Sequence, residues 1–340
     1  MKSLVASRPV LNSRIFPFMG GRELNTDPRH NSDRFIINFE DETEDEVRAT
    51  FPELMAIVEE KLWPQREAQK NLGWAKKWWQ YGGSTAEVAE LFQGLNRILA
   101  NSQVSAVPSF AFQPADIVFA HTRNVFALDT YSGFCALQSR SHEVWSRFFG
   151  SSMKDDLRYT ATDCFDTYPF PLNWKPHNRL EEVGKAYYEH RAQLMIANDE
   201  GLTKTYNRFH DPHEKSSEIA HLHELHAAMD RVVLEAYGCD DLAQSARCEF
   251  LLDYEEEDDD EPGAKKSKKK KPWRLRWPDD FRDEVLARLL ELNEQRHQDE
   301  LLAGKAGSAA AKGNRKPKSK KNSPENVPAA GQADLFEKEK

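Results

Sequence analysis

Charge is segregated along this chain, and the segregation limits how much of it can fold. Residues 253–261 read DYEEEDDDE, residues 265–271 read KKSKKKK, and seven Lys or Arg occur between Gly304 and Lys321 with no acid among them. Runs this polar bury too little apolar surface to offset the entropy of ordering them. Foldable sequence therefore ends near residue 252, resumes for one segment at 273–303 and gives way to a basic tail. The overall balance of 47 Lys+Arg against 56 Asp+Glu, a net charge of −9, hides this pattern. Net acidity argues against a nucleic-acid partner, but much of it sits in one local block. With 39% hydrophobic and 11% aromatic residues in 340, the rest can bury a substantial core.

No window approaches the roughly 18 apolar residues of a membrane span, and the start, MKSLVASRPVLNSRIFPFMGG, lacks an apolar stretch ending at a small-residue cleavage site. We therefore expect a cytoplasmic location and no membrane partner. Cys135, Cys164, Cys239 and Cys248 are far apart and form no CxxC pair, so they read as reduced, mostly buried thiols.

Local patterns predict an α+β chain. Arg34 to Phe39 (RFIINF) has strand length. Thr43 with Glu46 has capping-box spacing, and Leu54, Ile57, Val58, Lys61 and Leu62 keep one helical face until Pro64. Ser84 with Glu87 repeats the start signal, followed by a stripe of Val88, Leu91, Phe92, Leu95, Ile98 and Leu99 that predicts a second amphipathic helix. Between Val104 and Asp129, short aromatic and β-branched runs broken by Pro108 and Pro114 predict a small, mostly antiparallel sheet. Helices then follow from Phe134 to Gly150, from about Leu180 to Asp199, from about Ser217 to Tyr237, and, introduced by RLRWPDDF, from about Asp280 to Leu302.

Catalytic constellations are missing. The sequence contains no GxGxxG after a strand, no GxxxxGK[ST], HExxH or GxSxG, and no NPPY, NPPF or DPPY tetrapeptide. Of His210, His213, His221, His223 and His226, only the last two have ligand spacing on one helical face, so the group reads as packed and solvated imidazoles. Asp163, Asp166, Asp279 and Asp280 are not followed by the carboxylate-x-lysine pair common in metal-dependent nucleases. Trp78 and Trp79, flanked by Lys76, Lys77 and Tyr81, suit core packing better than base stacking.

Eight separated blocks nevertheless share an order with a known family. They are FPFMGGRELN ending at Asn25, RFIINF at 34–39, LMAIVEEKLWPQR at 54–66, KKWWQYG at 76–82, RILANSQVS at 97–105, ALQSRSHEVW at 136–145, LRYTATDCFDTYPFP at 157–171 and LTKTYNRFHDP at 202–212. Together, over about residues 15–300, they resemble the region C-terminal to the catalytic domain in large adenine-specific DNA methyltransferases, notably the MmeI-like and related type IIG enzymes.

The resemblance implies a DNA target recognition domain at 1–175 and a helical C-terminal module at 176–252. A charged linker at 253–272, a C-terminal helix at 273–303 and a disordered basic tail at 304–340 complete the chain. It also implies double-stranded DNA as partner and methyl transfer from S-adenosylmethionine to a flipped adenine. The family's NPP[FY] tetrapeptide and glycine-containing cofactor loop are absent. No cofactor or metal is therefore expected in this chain, and S-adenosylmethionine belongs to a missing half or a separately encoded methyltransferase chain. Residues expected to touch DNA are the polar side chains of the sheet and the following segment: Gln113, His121, Arg123, Asn124, Ser139, Arg140, Lys154, Arg158 and Tyr159. Arg158 and Tyr159 alternatively brace the fold. In the tail, Gln332, Leu335 and Phe336 of QADLF resemble the pentapeptide by which bacterial replication proteins dock on the sliding clamp. A stand-alone DNA-binding or interaction protein recruited through that tail, or a truncated remnant, is the alternative reading.

Overall fold

The computed structural model describes residues 8–68, 76–81, 90–153, 156–175, 177–252 and 272–304. Contacts divide the chain into two units, Met1–Asn293 and Glu294–Lys340. In the first, a short 3-10 turn (Pro9–Arg14) leads into β1 (Ile15–Met19), α1 (Gly21–Thr26), β2 (Phe35–Ile37), α2 (Glu44–Thr50) and α3 (Pro52–Glu67). Next come β3 (Arg97–Ser102), β4 (Val104–Ser105), β5 (Phe110–Pro114), β6 (Val118–Phe119), β7 (Arg123–Phe126), α4 (Tyr131–Gln138), α5 (Arg140–Phe149), β8 (Ser151–Met153), β9 (Asp156–Arg158) and α6 (Ala161–Cys164). A helical region follows, with α7 (Asn178–Asn198), α8 (Leu202–Phe209), α9 (Ser217–Ala236) and α10 (Asp240–Ser245), then the hairpin β10 (Glu249–Leu252) with β11 (Trp273–Arg276), and α11 (Asp279–Leu302). Of the second unit only residues 294–304, the end of α11 and its closing turn, are described. The charged linker at 253–272, its last residue apart, and the tail from 305 lie outside the described residues.

The α+β expectation holds. The sheets are small, ordered β2-β1-β6, β5-β3-β7, β4-β9-β8 and β10-β11. Among the described residues all strand pairs are antiparallel except β1 with β6. The Thr43 capping box forms: the Glu46 amide donates to Thr43 Oγ1 at 3.4 Å, and the Thr43 amide donates to the Glu46 carboxylate at 2.8 Å. Helix α3 does not end at Pro64 but runs on to Glu67. A proline in the last turn removes one hydrogen bond near an end that frays anyway.

The helix expected across Ser84–Leu99 is corrected at its C-terminal end. Ile98 and Leu99 belong to β3, opposite Gln113 and Phe112. Leu91 is exposed, and Ser84, Glu87 and Val88 lie outside the described residues. Every residue from Ile98 to Ser102 is buried. A strand covered on both faces is apolar at successive positions, so any window across its start contains residues at helical spacing.

Two cores form. The smaller gathers Leu11, Ile15, Phe39, Val47, Phe51, Leu54, Met55, Val58 and Trp78. Trp78 meets Trp63 and Trp79 edge-on at 5.1 and 6.2 Å, so the WWQY segment packs inward as expected. The larger core runs without interruption from Met19 and Leu24 through Phe110, Phe134 and Trp145 to Leu180, Tyr187, Met229, Trp277 and Leu289. Helix α7 seats directly on α4 at Gly184, where a Cβ would fall 2.4 Å from the Tyr131 carbonyl oxygen. All four cysteines are free thiols, Cys135 and Cys164 buried. Among the described residues no helix is long and apolar enough to cross a membrane.

Candidate nucleic-acid interface

The central strand β3 pairs Asn101 with Asn124 and Ser102 with Arg123 on β7. At Gln103 the chain leaves that sheet, and Val104 joins the second sheet opposite Arg158. Gln103 ties three segments together at this junction. Its amide donates to the Thr122 carbonyl at 3.1 Å, its carbonyl accepts from the Tyr159 amide at 2.7 Å, and its Nε2 donates to the His121 carbonyl at 2.8 Å. Residues 101–105, 121–124 and 156–159 therefore meet in one place. His121, Thr122, Val104 and Arg158 are exposed there, while Gln103, Arg123 and Asn124 are half-buried.

Five of the nine expected DNA-contacting residues meet at this junction: His121, Arg123, Asn124, Arg158 and Tyr159. Asn124 is a strut, its Nδ2 donating to Asn101 Oδ1 at 3.0 Å and to the Tyr159 carbonyl at 3.1 Å. Arg123 donates from Nη1 to Ser102 Oγ and from Nη2 to Thr122 Oγ1 at 3.3 Å. Its guanidinium lies against Gly21, where a Cβ would fall 2.3 Å from Nη2. Burial pulls the Arg123 guanidinium below its ordinary pKa, with the Glu23 charge pulling the other way.

Four of the nine are placed in the interior, where they cannot reach a base edge. Tyr159 is 1% exposed; its hydroxyl meets His142 Nε2 at 2.9 Å and its ring packs edge-on against Phe110 and Phe126. Gln113 is buried in β5. Ser139 caps α5, accepting from the His142 amide at 3.5 Å and donating to the Ala136 carbonyl at 2.8 Å. Arg140 is buried in an ion pair with Asp230 of α9 at 2.8 Å, and its Nη2 donates to the Leu275 carbonyl at 2.9 Å. Burial pushes the Asp230 carboxyl up, but the facing His226 and Arg140 outweigh it and hold the group below the usual range. Lys154 lies outside the described residues.

Two of the four, Ser139 and Arg140, lie at the start of α5, whose first turn is buried together with Val144 and Trp145. Arg140, Ser141, His142 and Ser146 face the interior, whereas Phe148 and Phe149 are exposed. The histidines follow the same logic: His226 packs beside Asp230, His223 Nε2 meets the Phe209 carbonyl at 2.8 Å, and His210 Nδ1 accepts from the Leu275 amide at 3.1 Å. Among the described residues no group of His, Cys, Asp or Glu could hold a metal ion. Residues that the sequence reading missed at the junction are Gln103, Ser102, Thr122 and Gly21. Their signal was present in the NSQV and MGGR stretches, which carry small and amide residues where a β-strand and a helix begin or end.

With this geometry in view, the comparison with known families is decisive. The family model of the MmeI target recognition domain matches residues 1–172. The chain belongs to this family. Its fold is also similar to a solved structure of the type IIL restriction-modification enzyme MmeI in complex with DNA, with a TM-score of 0.54 at 17% identity. That likeness covers 87% of this chain, and so extends past the recognition domain into the helices, but only 33% of the MmeI chain. This chain thus spans about a third of the length of the MmeI chain that it matches. No curated protein matches it.

Proposed function

We propose that this chain reads DNA sequence for a restriction-modification system of the MmeI kind, type IIL or IIG, that methylates adenine at N6. The carrying observation is the target-recognition family match over residues 1–172. The Gln103 junction supports it by holding exposed His121, Thr122 and Arg158 on a backbone whose hydrogen bonds are locally satisfied. Phosphate contacts there set register, and the exposed polar side chains read base edges. The sequence contains no NPP[FY] tetrapeptide. Methyl transfer and S-adenosylmethionine are therefore assigned to a catalytic unit outside these residues, either a partner chain or another part of the enzyme.

The test is fluorescence anisotropy of the purified chain with duplex DNA across a salt series, repeated without residues 304–340. Binding that survives the deletion, with log K falling steeply as log salt rises, supports recognition by the folded part. Binding that disappears with the tail overturns it.

A second reading concerns the tail, where Gln332, Leu335 and Phe336 lie outside the described residues. The QADLF sequence favours docking on a sliding clamp, Leu and Phe filling an apolar pocket. Replacing Leu335 and Phe336 with alanine is expected to abolish retention on immobilised clamp while leaving duplex affinity unchanged. Equal retention of both forms removes this reading.

A further inference from the structure

We propose that Arg123 is the anchor for one backbone phosphate of the bound DNA, with Gly21 and Ser102 shaping its seat; this rests on the DNA-recognition reading above. Charge balance carries the assignment. Among the described residues no carboxylate lies within ion-pair distance of Arg123, whose recorded side-chain partners are the hydroxyls of Ser102 and Thr122. The neighbouring acid, Glu23, is already engaged. It accepts from Arg34 Nε at 2.8 Å, from Arg34 Nη2 at 2.7 Å and from the Gly20 amide at 3.0 Å. Glu23 is thus paired with Arg34 and only influences Arg123 from a distance, and the three groups together keep one positive charge.

The cation is also partly withdrawn from water, and its buried Nε has no hydrogen-bond partner among the described residues. A desolvated charge without a counter-ion is costly, so a ligand that supplies the negative charge gains more here than at an exposed lysine. A guanine edge offers two acceptors but no charge. A phosphodiester oxygen offers both, which favours the backbone over the base.

The seat is built for a fixed guanidinium. Ser102, which accepts from Nη1, is itself held by donating to Asn25 Oδ1 at 2.9 Å. Gly21 lets the group lie against α1, since any Cβ there would meet Nη2 at 2.3 Å and Cζ at 3.1 Å. A side chain ordered before binding loses less entropy on binding.

The test uses the full chain and fluorescein-labelled duplexes of two unrelated sequences, with anisotropy read over a salt series. Wild type is compared with Arg123→Ala and with Gly21→Ala, in which only the far end of a flexible side chain has to move. Both variants are expected to bind about tenfold more weakly on both duplexes and to flatten the slope of log K against log salt by about 1. Unchanged affinity and slope, in a wild type that binds, overturn the phosphate site and leave the DNA-recognition reading standing. Loss confined to one duplex overturns it too, by making Arg123 a base reader. A wild type that binds neither duplex overturns both readings.

Discussion

Arg140 and Arg123 come from similarly polar stretches of sequence, SRSHE and TRNVF, and end in opposite electrostatic situations. Arg140 is enclosed with Asp230 at 2.8 Å and a carbonyl at 2.9 Å, so its charge is matched inside the protein. Arg123 is only half-buried, is bonded to hydroxyls and lacks a carboxylate among the described residues. The difference teaches that position in the sequence does not separate an arginine paired inside the fold from one left without a carboxylate. Whether the fold itself supplies the counter-ion does.

The contrast is sharpest where Arg140 loses its partner altogether. A chain ending at residue 176 lacks Asp230 and the α7 face that covers α4. It is expected not to fold cooperatively, seen as a broad thermal melt by circular dichroism; a sharp transition would show that Arg140 tolerates being unpaired. Next in size, Asp230→Ala in the full chain should cost about 3–5 kcal/mol in urea denaturation, because it strands a buried cation. Arg123→Ala should stay within about 1 kcal/mol of wild type in the same assay. Equal costs would dissolve the distinction between the two arginines.

Acidity probes the same interior. Burial lowers His142 from an ordinary 6.5 to about 3, and lowers His210 and His226 as well. As pH falls through 6.5 the unfolded chain takes up protons that the folded chain refuses until near 3 at His142. The contribution of His142 to stability is therefore complete above 6.5 and is lost as pH drops toward 3. Urea midpoints measured across that range should fall steadily, and less steeply in His142→Gln; parallel curves for the two proteins would remove His142 from the account. The smallest effect is expected at Arg158, exposed on β9. Arg158→Ala should change stability by less than about 0.5 kcal/mol while weakening duplex binding a few-fold. Undiminished binding would confine the DNA surface to the Arg123 side of the junction.

Much of the architecture was legible because local physics acts alone there. The Thr43–Glu46 cap, the amphipathic α9 and the small antiparallel sheets needed only short-range patterns. The family blocks pointed to the recognition domain. What sequence could not show was which face of a segment turns inward. Ile98 and Leu99 mimicked a helix because β3 is covered on both sides. Arg140 and Tyr159 read as surface polarity because their partners, Asp230 and His142, lie far along the chain or in a neighbouring element, and Ser139 because the cap it makes with the His142 amide is buried with its helix. The NSQV stretch marks the end of β3, but which segments Gln103 ties together depends mainly on its backbone hydrogen bonds, which side-chain pattern does not specify.

The family domain closes at residue 172, yet the larger core runs past it to Leu289. Any recombination that exchanged only the first 172 residues between relatives would split α4 from α7 and Arg140 from Asp230. On the recognition reading proposed above, a chimaera that keeps its fold has to carry the helices behind the domain along with it. The part that must be kept together is larger than the family domain.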